Sequence, residues 1–346
     1  MSMTGARHSL HNDYELLDSG DGRKLERFGD VTLSRPCGQA CWEREKPEIW
    51  SDAVASFDRE SGWRTQGTAE LPSSWIVTIN DIAMKLKPTP AGHLGVFPET
   101  RALWDWITDT LTSSSRRGLN VLNLFAYSGG ATLAAARAGA AVCHLDASRS
   151  MVTRARENAT LNGLDSAPIR WIVEDVGKFL DREIRRGRTY DAIMLDPPSF
   201  GHGAKGEQYR IDRDLAATLE RCRTLLSDRP AFVLLTSHTQ GVTAVELEGL
   251  MGGVLGSGDI ASGAMELTGA SDVRPVNGGV WTRWSGASRE RGRPPPRAES
   301  RVPSTRPQGQ IFVARCRGSA SGCHRGPRSR KGLPSSSRRG SHRPSG

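Results

Sequence analysis

The chain has 346 residues, with 47 Arg/Lys against 38 Asp/Glu and a formal net charge of +9, enough for one large domain or two. The charge is unevenly placed: residues 287–346 carry 15 Arg/Lys and 2 Asp/Glu, which leaves 32 Arg/Lys against 36 Asp/Glu in residues 1–286. This argues against a uniformly basic nucleic-acid surface on the first 286 residues. No apolar run approaches the roughly 18 residues needed to span a bilayer, and the six cysteines show neither a disulfide nor a zinc pattern. The expectation is a cytoplasmic protein with reduced thiols, no metal and no membrane segment.

Residues 1–13 read as a frayed start. Tyr14–Leu17 and Lys24–Phe28 flank Asp18-Ser19-Gly20-Asp21-Gly22, a hairpin signal, and Val31–Leu33 is a third short strand stopped by Pro36. Residues 37–70 have weak periodicity. Trp75–Ile79 and Ile82–Leu86 form a second hairpin around Asn80-Asp81. These segments predict a β-rich region over residues 1–90, which either shapes a substrate side or only caps a sheet.

Thr100–Leu111 is helical, with Leu103, Trp104, Ile107 and Leu111 on one face. Val121–Leu124 is a buried strand that runs into the tight turn Phe125-Ala126-Tyr127-Ser128-Gly129-Gly130. Ala131–Ala138 follows as an Ala-rich helix, with Gly139 as its C-cap. Ala140–Asp146 is a second strand, ending in an acid 16 residues after Gly130. Further units follow: helix Ser150–Asn162, strand Trp171–Val173, helix Lys178–Arg186, strand 191–195, helix Ile211–Leu226 and strand Ala231–Leu235. Two closing strands are predicted at Ala264–Thr268 and Gly279–Trp284. Repeated βα units predict a doubly wound, mostly parallel sheet over residues 91–286. Residues 287–346, rich in Arg, Pro, Ser and Gly, read as a disordered basic tail.

The chemistry gathers at strand ends. Asp196-Pro197-Pro198-Ser199-Phe200 cannot continue a strand, because two prolines remove two donors and fix φ. The turn holds a carboxylate, carbonyls and a ring at the carboxyl edge of the sheet, where open α/β sheets bind ligands. An acid at the end of the second strand, Asp146, suits ribose hydroxyls. The glycine ladder GxGxxG is absent, so a nucleoside cofactor without a diphosphate fits better than a dinucleotide. His202, in a Gly-rich segment, and His238 are candidate neutral general bases, and Tyr209 and Arg210 are candidate substrate contacts.

These segments resemble class I S-adenosylmethionine-dependent methyltransferases. More narrowly, they are similar to the family of the large-subunit ribosomal RNA cytosine-C5 methyltransferase and its relatives. Asn123–Gly130 resembles that family's cofactor loop, Asp196–Phe200 its D-P-P-x-F turn, and His93–Arg101 the segment that lies beside the cofactor. The resemblance covers roughly Trp75 to Trp284. It implies a seven-stranded Rossmann-like sheet with an antiparallel terminal strand. It implies S-adenosylmethionine held by Phe97, Asn123, Phe125, Tyr127, Ser128, Gly129, Asp146, Ala147, Asp175, Val176 and Asp196, with Asp175 on the adenine amine.

It also implies an RNA substrate, ribosomal RNA in the family; the carboxylate of Asp196, the carbonyl of Pro197 and the ring of Phe200 are expected to handle it. One departure bears on the reaction. C5 members carry a nucleophilic Cys on the loop after the fifth strand, and here that loop is Thr236-Ser237-His238-Thr239. Attack on ring C6 needs a thiolate, so a base nitrogen is the expected acceptor. A methyltransferase for a small molecule or protein, and a cofactor-binding module without activity, also fit the residues.

Overall fold

The computed structural model describes residues 12–202 and 206–286. The tail predicted at 287–346 lies outside the described residues. The N-terminal sheet has the order β1-β2-β3-β4-β5, from β1 (Tyr14–Gly20), β2 (Arg23–Phe28), β3 (Val31–Pro36), β4 (Ala55–Asp58) and β5 (Gly62–Thr65). Its first turn is tighter than the five-residue loop expected. Strand pairing runs to Gly20↔Arg23, so only Asp21 (φ 52°) and Gly22 (φ 74°) turn the chain. Two successive positive φ angles are what a two-residue hairpin needs. The strands β4 and β5 fall where periodicity is weak.

A second hairpin pairs β6 (Trp75–Ile79) with β7 (Ile82–Leu86), turned by Asn80 (φ 48°) and Asp81 (φ 61°). The outer edge of β7 is closed by side chains of α3 (Arg149–Leu161) and its C-cap. Asn158 Oδ1 accepts from Lys85 N at 2.9 Å, and Asn162 Oδ1 accepts from Ala83 N at 2.9 Å. Two asparagines thus do for an edge strand what a neighbouring strand would do.

The central sheet is built from β8 (Asn120–Leu124), β9 (Ala141–Asp146), β10 (Ile169–Val173), β11 (Ala192–Leu195), β14 (Phe232–Ser237), β15 (Gly258–Leu267) and β16 (Val276–Gly286). A short hairpin, β12 (Phe200–His202) with β13 (Gln208–Arg210), stands apart from it. The order is β10-β9-β8-β11-β14-β16-β15. The first five are parallel, and β16 runs antiparallel to β14. This is the seven-stranded Rossmann-like sheet expected, with the chain reversing direction across the sheet between β8 and β11.

Alternate residues of the parallel strands feed two cores. Val121, Met194 and Leu234 face α1 (Arg101–Ser113), α2 (Gly130–Arg137) and α3. Leu122, Ile193 and Val233 face α4 (Val176–Arg185), α5 (Ile211–Thr224) and α6 (Ala244–Leu255). The first core also takes in Leu16, Phe28 and Leu33 of the N-terminal sheet, so packing is continuous across the boundary expected near residue 90. Helix α6 was not expected from apolar spacing. Its signal is a capping box, in which Thr243 Oγ1 accepts from Glu246 N at 3.2 Å and Glu246 Oε2 accepts from Thr243 N at 2.8 Å.

Candidate active site

Strand register brings the site together. Leu124 pairs with Leu145 on one side and with Leu195 on the other. The next residues, Phe125, Asp146 and Asp196, therefore leave the sheet at one level, at the point where strand order reverses. That is the place where open α/β sheets bind ligands.

The loop after β8 is strained in a regular way. Phe125 (φ 55°), Tyr127 (φ 50°) and Gly129 (φ 96°) alternate left-handed conformations with ordinary ones. Such angles cost of order 1 kcal/mol or more at non-glycine residues and persist only when the surroundings over-determine them. Here Ala126 N donates to Leu145 O at 3.0 Å and Tyr127 N to Asp146 Oδ2 at 2.8 Å. Asn158 Nδ2 donates to Ser128 O at 2.9 Å, and Ser128 Oγ donates to the Gly95 carbonyl. Gly130 is dictated by packing instead, since a Cβ there would lie 2.3 Å from the Trp104 ring.

A cleft of about 620 Å³ is lined by Phe97, Phe125, Tyr127, Asp146, Ala147, Asp175, Val176, Asp196, Pro197 and His238, with Arg59 contributed by the N-terminal sheet. An inner cavity shares Phe97, Phe125, Tyr127 and Asp196 with it and reaches Asn123, Ser128 and Gly129. Of these three expected cofactor contacts, Asn123 belongs to β8, and Ser128 and Gly129 belong to the loop itself. Asn123 is buried, and its Nδ2 donates to Thr132 Oγ1 at 2.9 Å, which in turn lies 2.9 Å from His144 Nδ1. Asn123 thus ties β8 to α2 and, through Thr132, to β9.

Asp146 accepts two backbone bonds, from Tyr127 N and Ser148 N, both at 2.8 Å. Burial raises its pKa, and the two backbone bonds oppose the rise. Each oxygen keeps a second lone pair. Asp175 caps α4, its Oδ1 accepting from Lys178 N at 3.0 Å. Asp196 Oδ1 is buried with no hydrogen-bond partner. The lining is apolar and aromatic, with carboxylates at three strand ends. This donor-hungry set fits a nucleoside carrying hydroxyls and an amine, so the residues present fit S-adenosylmethionine.

Phe200 is placed differently from expectation. It starts β12, pairs with Arg210, is 51% exposed and is not among the residues lining the cleft. Phe97 lines both cavities with Asp196, and its centroid lies 5.4 Å from Tyr127 and 4.8 Å from His238. Tyr209 does line the cleft and packs on Phe125 at 4.9 Å; Arg210 is tied to Asp212 at 2.6 Å.

The surroundings of His238 favour its charged form over the neutral base expected. Its Nδ1 lies 2.9 Å from the Gly278 carbonyl and 3.5 Å from Glu99 Oε1, and its Nε2 lies 3.4 Å from Asp196 Oδ2. Burial pushes its pKa down, but Asp196, then Glu99 and the Gly278 carbonyl, outweigh this and raise it to about 9. The sequence contains the signal for Glu99 only as the acid of the His93–Arg101 segment. The side chain of His202 lies outside the described residues.

Cys143 on β9 and Cys222 on α5 are buried, with thiols pushed up by burial to about 11 and about 12. Neither lines the cleft. Among the described residues no cluster of three or more His, Cys, Asp or Glu is placed to hold a metal, and no helix is long and apolar enough to cross a membrane.

A family profile described as S-adenosylmethionine-dependent methyltransferase matches residues 58–237. The chain belongs to this family. A solved S-adenosylmethionine-dependent methyltransferase from Agrobacterium tumefaciens is similar, with 37% identity and a TM-score of 0.75 over 80% of this chain and 92% of that one. The ribosomal RNA large subunit methyltransferase K of Neisseria meningitidis serogroup B is 38% identical over 221 residues, 60% of this chain and 61% of that protein. The ribosomal RNA large subunit methyltransferase K/L of Shewanella frigidimarina is 32% identical over 178 residues, 50% of this chain. The present chain spans 24% of the length of that K/L protein.

Proposed function

We propose that this chain methylates a nitrogen of an RNA base, with ribosomal RNA as the substrate class. The cofactor, when bound, supplies an electrophilic methyl group, so the protein's main task is to align the acceptor. In this reading Asp146 takes the ribose hydroxyls, Asp175 the adenine amine, and Phe125, Ala147 and Val176 enclose the adenine. Asp196 and the Pro197 carbonyl accept from the N–H of the acceptor base, and the Phe97 ring lies beside it.

The observation that carries the reading is the buried, unpartnered Asp196 Oδ1. A buried acceptor without a partner costs about 1–3 kcal/mol, and an acceptor amine would relieve it. Its setting at the switch point supports a ligand there. The buried, high-pKa thiols outside the cleft favour nitrogen over ring carbon, because carbon methylation needs a thiolate at the acceptor. The K and K/L relatives, named as ribosomal RNA large subunit methyltransferases, support RNA.

A methyltransferase for a small molecule or a protein is the second reading, favoured by the net negative charge of residues 1–286. Incubating the full chain with methyl-labelled cofactor and cell extract, then fractionating the label, separates the two. Label in RNA supports the proposal; label confined to protein or to small molecules overturns it.

A further inference from the structure

Three chain segments meet around one imidazole. Glu99 comes from the turn before α1, Asp196 from the end of β11, and the Gly278 carbonyl from β16. His238, just past β14, is the only group among them able to carry positive charge. Its Nδ1 sits 2.9 Å from a carbonyl oxygen and must donate there, which requires a proton on Nδ1. Its Nε2, 3.4 Å from Asp196 Oδ2, faces a carboxylate, which favours a second proton. The Phe97 ring packs on the imidazole, 4.8 Å between centroids and tilted by 34°.

Glu99 and Asp196 lie on either side of His238, and two carboxylates so placed would repel if nothing lay between them. Glu99 is 8% exposed, so its charge is poorly screened by water. Behind it, Arg35 pairs with buried Glu26 at 2.6 Å and also acts on Glu99. The signs therefore alternate from the N-terminal sheet to the cleft: Glu26, Arg35, Glu99, His238, Asp196. Other titratable groups face this cluster: Tyr14 acts on Glu99, and Arg59, Tyr127 and His93 line the cleft with His238. His93 is edge-on to Phe97 at 5.8 Å, and burial, then Arg35 and His238, keeps its pKa low. One cation thus faces two anions.

We propose that His238 is a positioning residue for the acceptor: as an imidazolium between Glu99 and Asp196 it occupies Asp196 Oδ2 and turns Oδ1 toward an N–H of the base. The proposal rests on the role given to Asp196 above and adds the group that orients it. A carboxylate oxygen that accepts the N–H leaves the nitrogen lone pair free for the methyl group.

Two measurements on the full chain test this, one of which needs no acceptor. Histidine nitrogen NMR with the demethylated cofactor bound should show His238 titrating near 9. In Glu99→Gln it should titrate roughly one pH unit lower, the effect of losing one neighbouring charge. Turnover with RNA should show an alkaline limb that moves down with it in Glu99→Gln. His238→Gln should lose the limb and at least about tenfold in kcat/KM, with cofactor affinity within about twofold of wild type. A His238 that titrates at or below 6.5, or a limb unmoved by Glu99→Gln, overturns the proposal. If wild type methylates no RNA, the functional reading fails while the NMR titration still decides the proposal. If His238→Gln does not fold, Glu99→Gln decides it.

Discussion

The backbone N–H of Tyr127 donates to Asp146 Oδ2 over 2.8 Å, so the acid at the end of the second strand holds the loop it is expected to serve. Removing that carboxylate should do two things. Asp146→Ala should weaken S-adenosylmethionine binding by about 1.5–3 kcal/mol, through lost ribose bonds and a slackened loop. Asp146→Asn, which keeps one acceptor oxygen, should lose less. Calorimetric titration of both variants checks this, and unchanged affinity in Asp146→Ala would remove Asp146 from the cofactor site.

Phe97 lines the cleft with Asp196, while Phe200 is 51% exposed on its own hairpin. Phe97→Ala should therefore weaken acceptor binding by about 1–3 kcal/mol, the scale of one lost stack. Phe200→Ala should have a smaller effect. Substrate KM for the two variants gives the comparison, and the reverse order would return Phe200 to the acceptor site.

Gly130→Ala places a methyl 2.3 Å from the Trp104 ring. The site is rigid, since Trp104 is buried in the core between α1 and α2. Overpacking of this kind costs about 1–3 kcal/mol. Urea unfolding should show the loss in the midpoint with an unchanged slope.

Most of the sheet is legible in the sequence because buried parallel strands read as short apolar runs, and the βα alternation orders them. The turn at Asn80-Asp81 is legible for the same kind of local reason: two residues that tolerate positive φ between two strands. Strands β4 and β5 are not, because exposed residues such as Arg64 and Thr65 leave no clean alternation. Helix α6 hides behind three glycines at 249, 252 and 253, and only its capping box marks it. Within the site, the strand-end acids follow from local pattern. The Glu99–His238–Asp196 cluster does not, because it joins residues from three distant segments.

The raised pKa of His238 also makes a stability prediction. Its folded value, about 9, lies above the ordinary histidine value of 6.5. Its contribution is therefore fully present below about pH 6.5 and is lost as pH rises through about 9. The melting temperature should fall across that window in wild type, and the fall should be shallower in His238→Gln. Equal slopes in the two proteins would mean that His238 is not charged in the folded state.

The central claim is methyl transfer to a base nitrogen at Asp196, and nucleoside mass spectrometry of RNA methylated in vitro tests it most directly. Wild type should yield an N-methylated nucleoside, and Asp196→Ala should yield none while binding the cofactor with little change in affinity. Finding 5-methylcytosine, or full activity in Asp196→Ala, would contradict the account.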